Sequence, residues 1–442
     1  MALFSRFHVI YMNMKIIYMN MKNIRLTTIF LILLLLCGHV CMSQHSTMHV
    51  LKTQQDIVSF FEKHNEIYNV YHDFYKNKQF DLAIKPLKEL VTFFDTTTFD
   101  SQWEEVMVYK EELAANIYYN LACCYALTAQ KKLALETLEK SVRMGYKDYR
   151  NMLNDKDFEN IREEKKFKSL LEEIRQYDRL LILQKSSAYV KEDNDTMPQF
   201  FYQDTGDYRL ISVRNFFDLD SVAGDGDEIS KILNILHFVH KTIRHDGGNF
   251  ALCEFDAIDI YNYHKSTGKG VNCRHLAIAL NEMYLSMGIP SRYVTCMPYD
   301  SRDQDCHVIN SVWSSQYQKW IWIDPTFEAY VKDENGNFLS ISEVRDRLIE
   351  GRPLFLNEDA NWNYENKQTK EYYLESYMAK NLYWFDCVTN YCFNPESRYR
   401  YVENKHVVLT PSTYETPATY EKSSDWAVIT HDADYFWQAP TK

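Results

Sequence analysis

From Asp56 to Lys191 the apolar residues recur at helical spacing, and Pro86 and Gly145 are the only proline and glycine in the stretch. A run of that length with apolar faces and almost no breakers folds as packed helices. Two parts of it superpose at a constant offset of 51 residues, as from Ile67 to Tyr118. Ile67, Val70, Tyr71, Phe74, Ala83, Leu87 and Leu90 correspond to Tyr118, Leu121, Ala122, Tyr125, Ala134, Leu138 and Ser141. In both, an aromatic residue is followed nine positions later by an alanine small enough for two helices to cross closely.

This pattern resembles the tetratricopeptide helix-turn-helix unit. The offset is longer than the usual period of about 34, and the extra segment, around Asp95 to Val106, is polar; an ordinary helical bundle is the alternative. The stretch from Gly145 to Ile174 resembles the tail that closes such arrays. Helical repeats bind or position rather than catalyse, so a protein partner on this region is expected.

The first residues carry Arg6, Lys15, Lys22 and Arg25 with no acidic residue, then an apolar block from Ile29 to Cys37. This reads as a signal peptide over residues 1–43, too short in its apolar run to span a bilayer. Export to a periplasmic or extracellular space is expected, without lipid anchoring at Cys37 or Cys41 and without a membrane span once the signal is removed. Removal takes away four positive charges, moving the formal charge from −12 to −16. That balance excludes a broad electrostatic grip on nucleic acid. Ten cysteines in 442 residues are too few for a disulfide scaffold. Cys296 with Cys306, or Cys387 with Cys392, could bridge locally in an oxidising compartment. No Cys/His spacing suggests a metal site, and no cofactor is expected.

Four segments follow: the signal, a helical domain over 50–191, a mixed domain over 195–362, and a Tyr-rich extension over 363–442 expected to contain strands. The order of elements in the mixed domain is α+β.

Within it, Leu276, Leu280, Met283, Tyr284 and Met287 share a helical face, with Gly288 and Pro290 as stop signals, so a helix should start near Asn272. Cys273 then sits in its first turn, where unpaired amides and the helix dipole favour a thiolate, the nucleophilic form. Two alternating segments follow, one from His307 to Trp313 and one from Trp320 to Asp324. A hairpin turning at Ser315 and Gln316 sets His307 opposite Asp324, with Cβ atoms roughly 4.5–5.5 Å apart. The carboxylate would fix the imidazole tautomer and leave the other ring nitrogen for the thiol. His237 and His240 share a helical face while His245 lies off it beside Gly247, a trio that suits packing better than metal binding. His275, two residues from Cys273, points away from it.

The order Cys, His, Asp, with "GIPSR" after the cysteine helix and "DPT" at the aspartate, resembles the transglutaminase-like superfamily of papain-like cysteine enzymes, over roughly Leu219 to Val331. The resemblance implies an α+β fold with an antiparallel sheet, Cys273 as nucleophile, His307 as general base and then acid, and Asp324 as orienting carboxylate. In the crosslinking branch an indole upstream of the nucleophile assists the oxyanion, yet no Trp lies between Asp195 and Cys273. The Cys273 amide, with Asn262, Tyr263 or His264, is the candidate donor set. The activity implied is hydrolysis of a peptide or amide bond in a protein, peptide or glycopeptide. The alternatives are protein crosslinking, or a non-catalytic peptide- or glycan-binding scaffold using the helical repeats.

Overall fold

The structure, a computed structural model, describes residues 48–192, 197–301, 303, 305–397, 404–416 and 426–440. The signal segment 1–43 lies outside them. No helix among the described residues is long and apolar enough to cross a membrane. The chain divides into two compact units between Asp178 and Arg179.

The first unit is built on two helical hairpins, α1 (Gln54–Lys76) with α2 (Phe80–Asp95), and α3 (Glu104–Leu127) with α4 (Lys131–Arg143). Thr53 starts α1 with a capping box: its hydroxyl accepts from the Asp56 amide, and the Asp56 carboxylate accepts from the Thr53 amide. The inter-helix turns place Lys78 and Ala129 at φ 57° and 58°, the same 51-residue offset as the side-chain pattern. Ala83 and Ala134, the crossing residues, are both fully buried. Ser141 stands where the first hairpin has Leu90, and its hydroxyl is satisfied by the Ala115 carbonyl at 2.7 Å. The long offset has a structural cause. Between the hairpins, Thr97–Phe99 pairs in parallel with His49–Leu51 and a 3₁₀ turn follows at Ser101–Trp103.

The second unit is α+β. Its central helix, α7 (Cys273–Ser286), is buried at every position from His275 to Ser286, so the one-sided stripe read from the sequence understates it. Around α7 lie α5 (Glu228–Thr242), α6 (Ala257–Thr267) and a six-stranded sheet. The strands are β1 (Ser291–Met297), β2 (His307–Ser314), β3 (Lys319–Ile323), β4 (Trp384–Val388), β5 (His406–Leu409) and β6 (Ala427–Thr430). Their spatial order is β6-β5-β4-β1-β2-β3. Three of the six strands therefore come from beyond residue 363.

The sheet is mixed rather than wholly antiparallel, because β6 adds to β5 in parallel. The connection 410–426 is long enough for the crossover that a parallel pair needs. The β2–β3 hairpin also differs from the expected register. Trp313 pairs with Trp320 and Asn310 with Ile323, two residues away from the register that would set His307 against Asp324. The turn occupies Ser315–Gln318, with Gln318 at φ 52°, and Glu228 at the start of α5 accepts from the Ser315 and Gln316 amides at 2.8 and 2.9 Å. A two-residue slip preserves the side-chain face, so His307 and Asp324 stay on one side of the sheet.

Candidate active site

Cys273 is the first residue of α7. The side chain of the preceding Asn272 caps the helix by accepting from the His275 amide at 3.1 Å. The remaining first-turn amides point out of the helix end beside the thiol. His307 opens β2, with Cys296 of β1 as its register partner, and Asp324 directly follows β3. His307 and Asp324 are 1% and 0% exposed, and His307 Nε2 lies 2.7 Å from Asp324 Oδ2. Cys273 lies within electrostatic reach of the His307 ring. With Nε2 on the aspartate, Nδ1 is the ring nitrogen left for the thiol.

Burial alone would push the His307 ring below its ordinary range, but the Asp324 charge, its hydrogen bond and the Cys273 contact outweigh that and raise it to about 10. The arrangement favours an imidazolium at His307. The "DPT" run now has a local explanation: Asp324 Oδ1 accepts from the Thr326 amide at 2.8 Å, an Asx turn that fixes the carboxylate plane.

Two tyrosines from beyond residue 363 complete the surroundings of the pair. Tyr373 is fully buried and donates its hydroxyl to Asp324 Oδ2 at 2.5 Å while accepting from Trp322 Nε1 at 3.1 Å. The Tyr377 ring packs edge-on against His307 at 5.3 Å, with Phe327 on the same ring at 5.6 Å. Both tyrosines sit on a π-helical turn, Tyr373–Met378, a geometry that recurs at functional sites. Sequence reasoning did not find them. The one local signal was a pair of tyrosines four apart in "EYYLESYM".

The oxyanion candidates lie on the last turns of α6. Asn262 is exposed, His264 Nδ1 is bound to the Lys269 carbonyl at 2.8 Å, and the Tyr263 hydroxyl accepts from Asn249 at 3.0 Å. His275 points into the core: Nδ1 contacts Asn272 Oδ1 at 2.6 Å and the ring stacks on Phe255 at 4.9 Å. Of the other three histidines, His237 and His240 both lie within 4 Å of Glu328, at 2.6 and 3.8 Å, and His245 has a separate partner. His237 meets Glu328 at 2.6 Å, His240 meets the Pro325 carbonyl and Asn361 at 3.0 and 2.9 Å, and His245 accepts from Trp362 Nε1 at 2.9 Å.

Among the described residues, the groups close enough to share a cation are Cys123, Asp155 and Asp157. They belong to the helical unit, where the tyrosine hydroxyls of Tyr119 and Tyr75 donate to the two carboxylates at 2.8 and 2.5 Å. All eight described cysteines are thiols, Cys296, Cys306, Cys387 and Cys392 included. Cys306, next to His307, is pushed up to about 12 by burial and by the nearby Cys273, which leaves it a poor nucleophile.

Residues 218–325, which contain Cys273, His307 and Asp324, match the transglutaminase-like superfamily. Among solved structures, one that the chain resembles is described as a "Putative Cysteine Protease from Cytophaga hutchinsonii", with 18% identity and a TM-score of 0.21. The match covers 37% of this chain and 54% of that one, so the chain spans about half of its length. No curated protein matches the chain.

Proposed function

We propose that this protein is an exported cysteine hydrolase that cleaves peptide or amide bonds through Cys273, His307 and Asp324. The observation that carries the reading is the His307 ring, held on Nε2 by a buried carboxylate and within electrostatic reach of Cys273 at a helix N-terminus. In the reaction, the Cys273 sulfur attacks the carbonyl carbon. The imidazolium gives its Nδ1 proton to the leaving amine as the C–N bond breaks. The ring, now neutral, takes a proton from water, and the resulting hydroxide equivalent releases the acyl group from sulfur. Throughout, Asp324 keeps the ring in one orientation and balances its charge without itself taking the proton.

Hydrolysis is preferred to crosslinking because the superfamily match spans residues 218–325, a minimal form of the domain. The helical unit, which we read as tetratricopeptide-like, would recruit the protein or peptide substrate. Export rests on the basic and apolar N-terminal segment. To test the reading, an extract of envelope proteins and peptides is incubated with the enzyme, quenched in acid, and the tryptic peptide holding Cys273 examined by mass spectrometry. An acyl adduct on Cys273, lost in His307→Ala, is expected. Wild-type enzyme with no adduct, and no turnover on peptide, glycopeptide or glutamine-donor panels, sinks it.

A further inference from the structure

The attack of Cys273 on a carbonyl creates an oxyanion, and the helix amide is one donor for it. The second donor can be sought among groups that reach the same end of α7. His245 forms a parallel bridge with Val271, two residues before the nucleophile, so its backbone runs about 4.8 Å from that segment. The placement is over-determined. The Asp246 amide donates to the Val271 carbonyl at 2.7 Å and the Val271 amide to the Arg244 carbonyl at 2.9 Å. From the other side, Asn363 accepts from the His245 amide at 2.9 Å and donates to its carbonyl at 3.0 Å. Gly270 permits this approach: a Cβ there would lie 2.7 Å from Asp246 Cβ and 2.9 Å from the Arg244 carbonyl oxygen.

The ring's protonation is also fixed. An indole N–H only donates, so the Trp362 Nε1 bond at 2.9 Å makes His245 Nδ1 an acceptor, and the neutral ring must carry its proton on Nε2. Among the described residues Trp362 is the one hydrogen-bond partner of that ring, and His245 is only half-buried. Its charge is within electrostatic reach of both His307 and Asp324; burial, with His307 adding to it, pushes the ring down to about 3. The result is a neutral ring with a donor-only Nε2–H, within electrostatic reach of His307.

Resting on the cysteine-enzyme reading above, we propose that His245 is a catalytic residue whose Nε2–H donates to the oxyanion, and that Trp362 is the positioning residue that holds this tautomer. As the C–S bond forms, the carbonyl π pair moves onto oxygen and is met by the Cys273 amide and His245 Nε2–H. On collapse the pair returns, the C–N bond breaks and His307 protonates the amine. His245 keeps its own proton throughout.

The test compares two reagents on full-length protein. Acylation of Cys273 by p-nitrophenyl acetate passes through an oxyanion, whereas alkylation by iodoacetamide does not. His245→Ala should slow acylation roughly 10²–10³-fold and leave alkylation unchanged. His245→Gln, which retains an N–H donor, should recover a substantial part. In wild-type protein, ¹⁵N NMR should show His245 as the Nε2–H form throughout pH 5–8, and Trp362→Phe should mix the tautomers while slowing acylation but not alkylation. The proposal is overturned by an Nδ1–H ring in the wild type, by unchanged acylation in His245→Ala, or by equal slowing of both reagents. If His245→Ala does not fold, the glutamine variant and the wild-type spectrum decide. Wild-type protein that is never acylated at Cys273 overturns the cysteine-enzyme reading and this proposal together; normal wild-type acylation with an indifferent His245 overturns only the proposal.

Discussion

His307 Nε2 lies 2.7 Å from Asp324 Oδ2 although the two residues are not register partners in the hairpin that carries them. Asp324 has left the ladder, bridging instead to Ala329, and its carboxylate reaches back along the face to the ring. The pair is thus set by three constraints outside the ladder: the Thr326 amide, the Tyr373 hydroxyl and the imidazole itself.

Asp324→Asn removes the charge that raises His307. Burial then acts on the ring against Cys273 alone, so its titration should fall well below about 10. The imidazolium form is weakened, and kcat should fall by roughly 10²–10⁴. Proton NMR of the His307 ring checks the first part and steady-state kinetics the second. A titration midpoint unmoved by the substitution would contradict the account.

The same shift makes stability depend on pH. Folding raises the His307 pKa from 6.5 to about 10, so the charged ring stabilises the native state fully below pH 6.5. That contribution fades as pH rises from there and is gone once pH passes the folded value near 10. Urea unfolding of wild type and His307→Gln, compared from pH 5 to pH 11, should show a difference that is flat at the acid end and shrinks across this window. A difference constant to pH 11 would exclude the linkage.

Tyr373→Phe deletes one donor to Asp324 and strands the buried Trp322 indole N–H that used the same hydroxyl. A stranded buried donor costs about 1–3 kcal/mol, readable as a lower denaturation midpoint. Loss of one of the constraints on the carboxylate should lower kcat roughly tenfold, the equivalent of one hydrogen bond of about 1.4 kcal/mol. Full activity in the variant would show that the tyrosine only fills space.

The contrast between Tyr373 and the hairpin explains what the sequence could and could not reveal. The helical hairpins were legible because their information is local: breaker-free periodicity and the alanine pair Ala83 and Ala134. The shared face of His307 and Asp324 was legible because strand parity survives a slip of two. The register itself was not, since it depends on Gln318 adopting φ 52° and on Glu228 from a remote helix holding the turn. Tyr373, Tyr377 and Trp362 reach the site only through tertiary packing, and no spacing rule ties them to the triad. The parallel pairing of Ala427–Thr430 with His406–Leu409 is long-range in the same way.

Lys380 is nearly buried and spans the loop that leads into His307, contacting Asp303 Oδ2 and Asp305 Oδ2 at 3.1 Å each and the Asp305 carbonyl. Lys380→Met takes away the ammonium that both carboxylates contact. We expect a loss of roughly 2–3 kcal/mol, less than for a fully buried pair because both aspartates retain some solvent. Adding Asp303→Asn and Asp305→Asn to this variant should return part of the stability, measured by urea denaturation. No recovery would assign the loss to packing of the lysine stem instead.

Two glycines near α7 separate backbone conformation from close approach. Gly268 caps α6 at φ 69° with open space where a Cβ would stand. Alanine there should cost about 1 kcal/mol of stability and leave activity intact. Gly270 has no such space: its Cβ would meet Asp246 Cβ and the backbone of Arg244 and Asp246 at 2.7–2.9 Å. Relief requires the 244–246 segment to move, since two of the three clashing atoms are backbone. That segment carries His245, so Gly270→Ala should cost roughly 1–3 kcal/mol through overpacking and lower kcat well beyond the Gly268→Ala control. Thermal melts and kinetics on the two variants side by side decide it: equal activities would mean that the segment around His245 can shift without disturbing the nucleophile.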